Sequence, residues 1–245
     1  MKKYKIYVVG IGPGSEEMMT GQALEALEKS DTIIGYSVYL KLLGARFQSK
    51  ELLTTSMRQE TERCHMCFEE AAKGKTVSMI CSGDAGIYGM ASLMYELSKD
   101  YPEAEIEVIA GITAASSGAA LLGAPLNHDF CTISLSDQLT PWTQIEKRLI
   151  AAAQGDFVMA LYNPSSYLRP DHLRHACDIL MKHGVEESRA CGYTQNIGRE
   201  GTFCETCTLA ELKEKKLDMF TTVFIGNSES EIVQGRLITK RGYSI

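Results

Sequence analysis

The residues with the most chemical promise form the stretch Ser82-Gly83-Asp84-Ala85-Gly86-Ile87-Tyr88-Gly89. Its glycines let backbone approach a ligand closely, and Asp84 sets one carboxylate among backbone N–H groups, where it suits ribose hydroxyls or an ammonium group. The stretch fits a tight strand-to-helix turn without a ligand equally well. A second glycine-rich loop, Gly10-Ile11-Gly12-Pro13-Gly14-Ser15, invites comparison with a dinucleotide fingerprint and fails it on three counts. The third glycine comes one residue early, Pro13 removes an N–H from the phosphate cradle, and Asp31 precedes the second strand instead of ending it.

Other chemistry finds little support. No Ser/His/Asp or Cys/His set can be placed by spacing, and no His-Glu-x-x-His motif occurs. His172 and His175 share a helical face, which fits a solvated or packed pair better than a metal site, and His128 and His183 sit at element ends. Two Cys-x-x-Cys pairs, Cys64/Cys67 and Cys204/Cys207, have the spacing of thiolate zinc ligands. The first falls in a helical stretch, where it marks one face; the second falls in a strand-like stretch, where it marks opposite faces. No bound metal is expected.

The elements that must position these residues alternate. Lys5 to Val9, Asp31 to Gly35, Thr76 to Cys81 and Glu105 to Ile109 read as strands. Helical spacing appears around Ala23, Leu24 and Leu27, over Tyr36 to Leu43 with Gly44 closing it, and over Arg58 to Lys73 with Gly74 at its end. This is the pattern of a parallel sheet with helices on its faces. Gly111-Ile112-Thr113 then leads into a helix of small residues, Ala114 to Ala120, with Thr113 as its N-cap. Such a helix accepts either another packed element or a flat ligand close to its backbone. Gly123 to Asp129, with Pro125 barring a helix, reads as a linker. Beyond it Phe130 to Leu135, Phe157 to Tyr162, Arg189 to Thr194, Gly201 to Cys207 and Thr221 to Gly226 suggest a mixed sheet. The expected division is residues 1–122, a linker at 123–129, and residues 130–245. Strand ends at 82–89, 111–115, 159–164 and 221–223 are expected to converge at a cleft fit for a nucleoside-like ligand.

With 245 residues and 44% hydrophobic composition the chain has ample material for such cores. A net charge of −6 and the lack of a basic run give no electrostatic case for nucleic acid. No apolar stretch approaches the roughly 18–20 residues that span a bilayer, and Met1-Lys2-Lys3-Tyr4 runs into a strand and not an apolar signal core. A cytoplasmic protein with its eight cysteines as thiols is expected.

Val8 to Ser15, Ser82 to Met90, Gly111 to Leu126, Tyr162-Asn163-Pro164 and Thr221 to Asn227 together resemble the tetrapyrrole methyltransferases that use S-adenosylmethionine. The Ser-Gly-Asp-Ala-Gly-Ile-Tyr-Gly loop and the long small-residue helix are similar to the branch acting at C17 of a corrinoid precursor. The resemblance implies two α/β domains, a mostly parallel N-terminal sheet and a mixed C-terminal one, with the cofactor in the cleft between them, and a homodimer. It implies that S-adenosylmethionine is the methyl donor, leaving S-adenosylhomocysteine, and that the substrate is a tetrapyrrole methylated at C17 with ring contraction in cobalamin biosynthesis. Matching positions assign Gly83, Asp84, Ile87, Tyr88, Thr113, Ala114, Leu161, Tyr162, Thr222 and Val223 to the donor. Gly12, Pro13 and Gly14 go to the tetrapyrrole.

Such a substrate bears many carboxylates, so cations are needed, and Arg58, Arg63, Arg169 and Arg174 are the candidates. After Asn163-Pro164 the chain has Ser165-Ser166-Tyr167-Leu168 where relatives are basic. Competing readings are a sister methylase acting at C11 or C20 and a nucleotide-binding module without catalysis. No residue can be assigned to ring contraction.

Overall fold

A computed structural model describes residues 3–56 and 58–244, and the chain divides into two compact units, Met1–Thr113 and Ala114–Ile245. The first unit is built from β1 (Tyr4–Gly10), α1 (Gly21–Lys29), β2 (Thr32–Ile34), α2 (Ser37–Leu40), β3 (Glu51–Leu53), α3 (Glu60–Ala72), β4 (Val77–Cys81), α4 (Ala91–Leu97) and β5 (Ala104–Ile109). Its five strands are all parallel in the order β3-β2-β4-β1-β5, with Gly10 level with Cys81 and Val9 level with Ile109.

The pattern of apolar residues sorts the helices. Alternate strand residues face opposite ways. Val9, Ile33 and Ile80 pack with Ala23, Ala26 and Leu27 of α1, while Ile6, Val8, Val77 and Met79 pack with Cys64, Cys67 and Phe68 of α3 and Met94 of α4. Helices therefore cover both faces, which a buried parallel sheet requires. The connection out of β1 runs towards β2 and that out of β4 towards β5, so the chain reverses its winding between these adjacent strands. Ligands of open α/β sheets collect at such a reversal, beside the carboxyl ends of the strands.

The second unit holds α5 (Ala114–Leu122), β6 (Gly123–Ala124), β7 (Phe130–Ser134), α6 (Trp142–Gln154), β8 (Val158–Tyr162), α7 (His172–Lys182), β9 (Ala190–Gln195), β10 (Phe203–Thr208), α8 (Leu209–Lys213), β11 (Thr221–Ile225), β12 (Ser230–Val233) and β13 (Arg236–Thr239). Its main sheet runs β10-β9-β11-β8-β7, parallel only between β7 and β8, and a small sheet joins β12, β13 and β6. Met159, Leu161, Val223 and Ile225 face α6, α7 and α8, whereas Ala160 and Phe224 face α5.

The expected α/β class, with a parallel first sheet and a mixed second one, is what the chain forms. The division falls earlier than expected. The small-residue helix belongs to the second unit because Ala115, Ala119 and Leu122 complete the core formed by Ala160, Ala190 and Phe224. The expected linker is not free chain, since Gly123 and Ala124 pair with Leu237 and Ile238. The helix expected over 36–43 is a short α2 followed by turns, and Gly44 begins the next helical turn, at 45–47, instead of closing α2.

Candidate functional site

The carboxyl edge of the first sheet is a seam of backbone. Gly12 and Gly83 exchange two amide hydrogen bonds, Gly12 N to Gly83 O at 3.0 Å and Gly83 N to Gly12 O at 2.8 Å. A methyl group on Gly111 would stand 2.1 Å from Gly83 O and 2.5 Å from Gly10 O, and one on Gly10 would stand 2.7 Å from Gly111 N. The loops after β1, β4 and β5 thus touch main chain to main chain, a closeness that only glycine permits. The loop at Gly10 to Gly14 and the loop at Ser82 to Gly89, which the sequence reading separates, are hydrogen-bonded neighbours.

Asp84 ties this seam together. Its Oδ1 accepts the amides of Gly86 at 2.8 Å and Ile87 at 3.1 Å, and its Oδ2 accepts the amide of Gly111 at 2.9 Å. A carboxylate taking three N–H bonds is a strong clamp. The turn it braces holds Tyr88 at φ 55° and presents Ile87 and Tyr88 outwards, 39% and 51% exposed, with Ile112 also open at 38%. Bare backbone flanked by apolar side chains, with one fixed carboxylate, fits an adenosyl group better than a diphosphate, for which no basic residue stands in the seam itself.

In the second unit α5 meets the end of β8 through Tyr162, whose hydroxyl accepts the Ala115 amide at 2.8 Å, capping the first turn of α5; Ala114 is the residue before it. Leu161 and Val223 are fully buried against α6, α7 and α8, so their side chains are committed to the core, and Thr222 is 4% exposed on β11. Just beyond β8, Asn163 adopts φ 53° and donates from Nδ2 to Ser134 Oγ at 3.0 Å.

The four candidate arginines have different fates. Arg174 makes a bidentate pair with Glu214, at 3.0 and 2.7 Å, on the surface. Arg169 donates to Ser136 Oγ at 2.6 Å and Ser166 Oγ at 3.1 Å and lies 3.5 Å from Asp137, which His172 Nε2 also approaches at 3.2 Å. Burial opposes the Asp137 charge, yet His172 and Arg169 hold its carboxyl below the usual range. Arg58 is exposed with φ 67°. Arg63 is buried, 5% exposed, and has no ion pair among the described residues.

The cysteine pairs go where spacing puts them. Cys64 and Cys67 lie on one buried face of α3, and on β10 Cys207 faces the helical core while Cys204 turns to the α5 side. Burial pushes the thiols of Cys64 and Cys207 up to about 12.

A chain with these two sheets and this glycine seam belongs to a known family: it is a member of the tetrapyrrole (corrin/porphyrin) methylases, whose model matches residues 5–213. Among individual proteins it is 44% identical over 239 residues to a probable cobalt-factor III C(17)-methyltransferase of Salmonella typhimurium, covering 97% of this chain and 99% of that protein. It is 37% identical over 233 residues to a precorrin-3B C(17)-methyltransferase of a Sinorhizobium species, covering 94% and 91%. The crystal structure of the methyltransferase CobJ superposes with a TM-score of 0.89 at 36% identity, over 97% of this chain and all of that one. The resemblance drawn from the motifs holds over nearly the whole chain.

Proposed function

We propose that the protein transfers a methyl group from S-adenosylmethionine to C17 of a corrinoid precursor, cobalt-factor III or precorrin-3B, with contraction of the macrocycle, in cobalamin biosynthesis. The observation that carries this reading is likeness along the full chain to proteins named for that reaction. The seam of Gly10, Gly83 and Gly111 supports the donor assignment, because it offers backbone and apolar walls at the winding reversal of the sheet. Gly83, Asp84, Ile87 and Tyr88 would hold the donor, with Thr113 beside them in sequence after Gly111. Ala114, Leu161, Tyr162, Thr222 and Val223 are the positions proposed in the second unit, Leu161 and Val223 through their backbone alone.

The donor supplies a methyl group on a sulfonium, which leaves as a neutral thioether. The chain's part is to hold and orient. Asp84 fixes the 84–87 turn in one shape before a ligand arrives, so the seam needs no rearrangement to present its backbone. Positioning of two reactants in line is worth up to roughly 7–11 kcal/mol of barrier. Gly12, Pro13 and Gly14 are proposed to face the tetrapyrrole. A homodimer and a cytoplasmic location belong to the same reading; among the described residues no helix is long and apolar enough to cross a membrane.

The test is incubation with labelled donor and each of the two precursors under strict exclusion of oxygen, followed by product mass and methyl position. Methyl at C17 with contraction of the macrocycle is the expected result. Methyl at C11 or C20 would make the protein a sister methylase, and calorimetric binding of NAD without response to S-adenosylhomocysteine would leave a nucleotide-binding module. Sedimentation of the purified chain checks the dimer.

A further inference from the structure

Arg63 is a cation placed at a cost. It sits in the first turn of α3, where its amide donates to Gln59 O at 2.9 Å, and its side chain is withdrawn from water. A buried guanidinium normally has a carboxylate beside it, because desolvation of a charge is otherwise uncompensated. Arg63 has none among the described residues: the acids of its own turn, Glu60 and Glu62, are exposed and make no ion pair with it. The Tyr36 ring covers the guanidinium at 5.9 Å. Nη2 donates to the carbonyl of Ser56 at 3.1 Å, and Nε is buried with no hydrogen-bond partner among the described residues.

Nε and Nη2 form one edge of the guanidinium, two parallel N–H groups that match the two oxygens of a carboxylate. The Ser56 carbonyl, a single neutral acceptor, satisfies half of that edge. Tyr36 and Ser56, the two residues against the Arg63 guanidinium, follow the carboxyl ends of β2 and β3. The unfilled fork therefore lies along the same edge of the sheet as the glycine seam.

We propose that Arg63 is the residue of the first unit that binds a carboxylate arm of the substrate, through Nε and Nη2, with the Ser56 carbonyl giving way to the incoming oxygens. This rests on the tetrapyrrole reading and narrows it to one subsite. Arg174 and Arg169 are already occupied by Glu214 and by Asp137 with two serines, so they are not free in the same way.

Arg63→Met, which keeps the length of the stem without the charge, and Arg63→Lys, which keeps the charge without the fork, test the assignment. Wild type and both variants are measured for melting temperature, for S-adenosylhomocysteine affinity by calorimetry, and for the KM of cobalt-factor III. Arg63→Met is expected to melt no lower than wild type and to bind S-adenosylhomocysteine unchanged, with KM raised roughly ten- to hundredfold, the loss for one charge-assisted contact. Arg63→Lys is expected to fall between the two. An unchanged KM in Arg63→Met overturns the proposal. A lower melting temperature with parallel loss of both ligands also overturns it, since Arg63 would then be a strut for the 54–59 turn. Failure of the wild type itself to bind any tetrapyrrole removes the functional reading first, and the subsite with it.

Discussion

Asp84 shows how one side chain can shape a site while touching mainly its own backbone. Its two oxygens carry three amides from two loops, so replacement by Asn puts an NH2 group where one of those amides donates. Asp84→Asn is expected to lose about 1–3 kcal/mol of stability and to bind S-adenosylhomocysteine more weakly, read by urea denaturation and calorimetry. Unchanged stability would mean that the clamp does not hold the turn. Two glycines make a sharper pair. Gly111→Ala forces a methyl into the Gly83 and Gly10 carbonyls and is expected to cost about 3 kcal/mol or more. Gly21→Ala, at the first position of α1 with nothing within 4 Å of the added methyl, is expected to add about 0.5–1 kcal/mol. Denaturation midpoints of the two variants should move in opposite directions.

At the scale of elements, α5 is the part whose allegiance matters most. Its residues are so small that the sequence leaves open what lies against it, and the structure answers with the second sheet: a methyl on Gly118 would come 2.6 Å from Thr194 Oγ1 and 3.0 Å from the Phe224 ring. Gly118→Ala is expected to lift the helix from that sheet and cost about 1–3 kcal/mol, measured by thermal unfolding. The strands were legible because runs such as Val77 to Cys81 and Thr221 to Ile225 are mostly apolar or β-branched, and all five residues of each are buried, as in doubly covered strands. The boundary between units was not, because Pro125 signals a break in helix equally well at a linker and beside a two-residue strand. The helix α6 carries its signal in Ile145, Leu149 and Ala152 at helical spacing, and β3 is too short to carry one. At the candidate site the loop at 82–89 could be read directly from its glycines, but its union with Gly12 and Gly111 could not, since nothing local ties residues so distant in the chain. The isolation of Arg63 was equally hidden, because it depends on which acids fail to reach it.

Taken whole, the molecule keeps most of its thiols inside. Burial raises Cys81 and Cys131 to about 11 and Cys64, Cys177 and Cys207 to about 12. An unfolded thiol titrates near about 8.5, so above that pH the unfolded chain binds fewer protons than the folded one and stability falls as pH rises. The melting temperature is therefore expected to decline steadily from about pH 9 towards about pH 12, and a flat profile over that range would contradict the burial. In parallel, an alkylating reagent at neutral pH should modify the native protein slowly and all eight cysteines once it is unfolded. The glycine seam carries a further consequence, for the order in which the first unit forms. Gly12, Gly83 and Gly111 can meet only after β1, β4 and β5 lie side by side, so their contacts are among the most non-local in the unit. During refolding, ellipticity from α1 and α3 should recover before the amides of these three glycines gain protection against deuterium exchange. A chain halted between those two events would be well structured and still have no edge on which to bind a ligand.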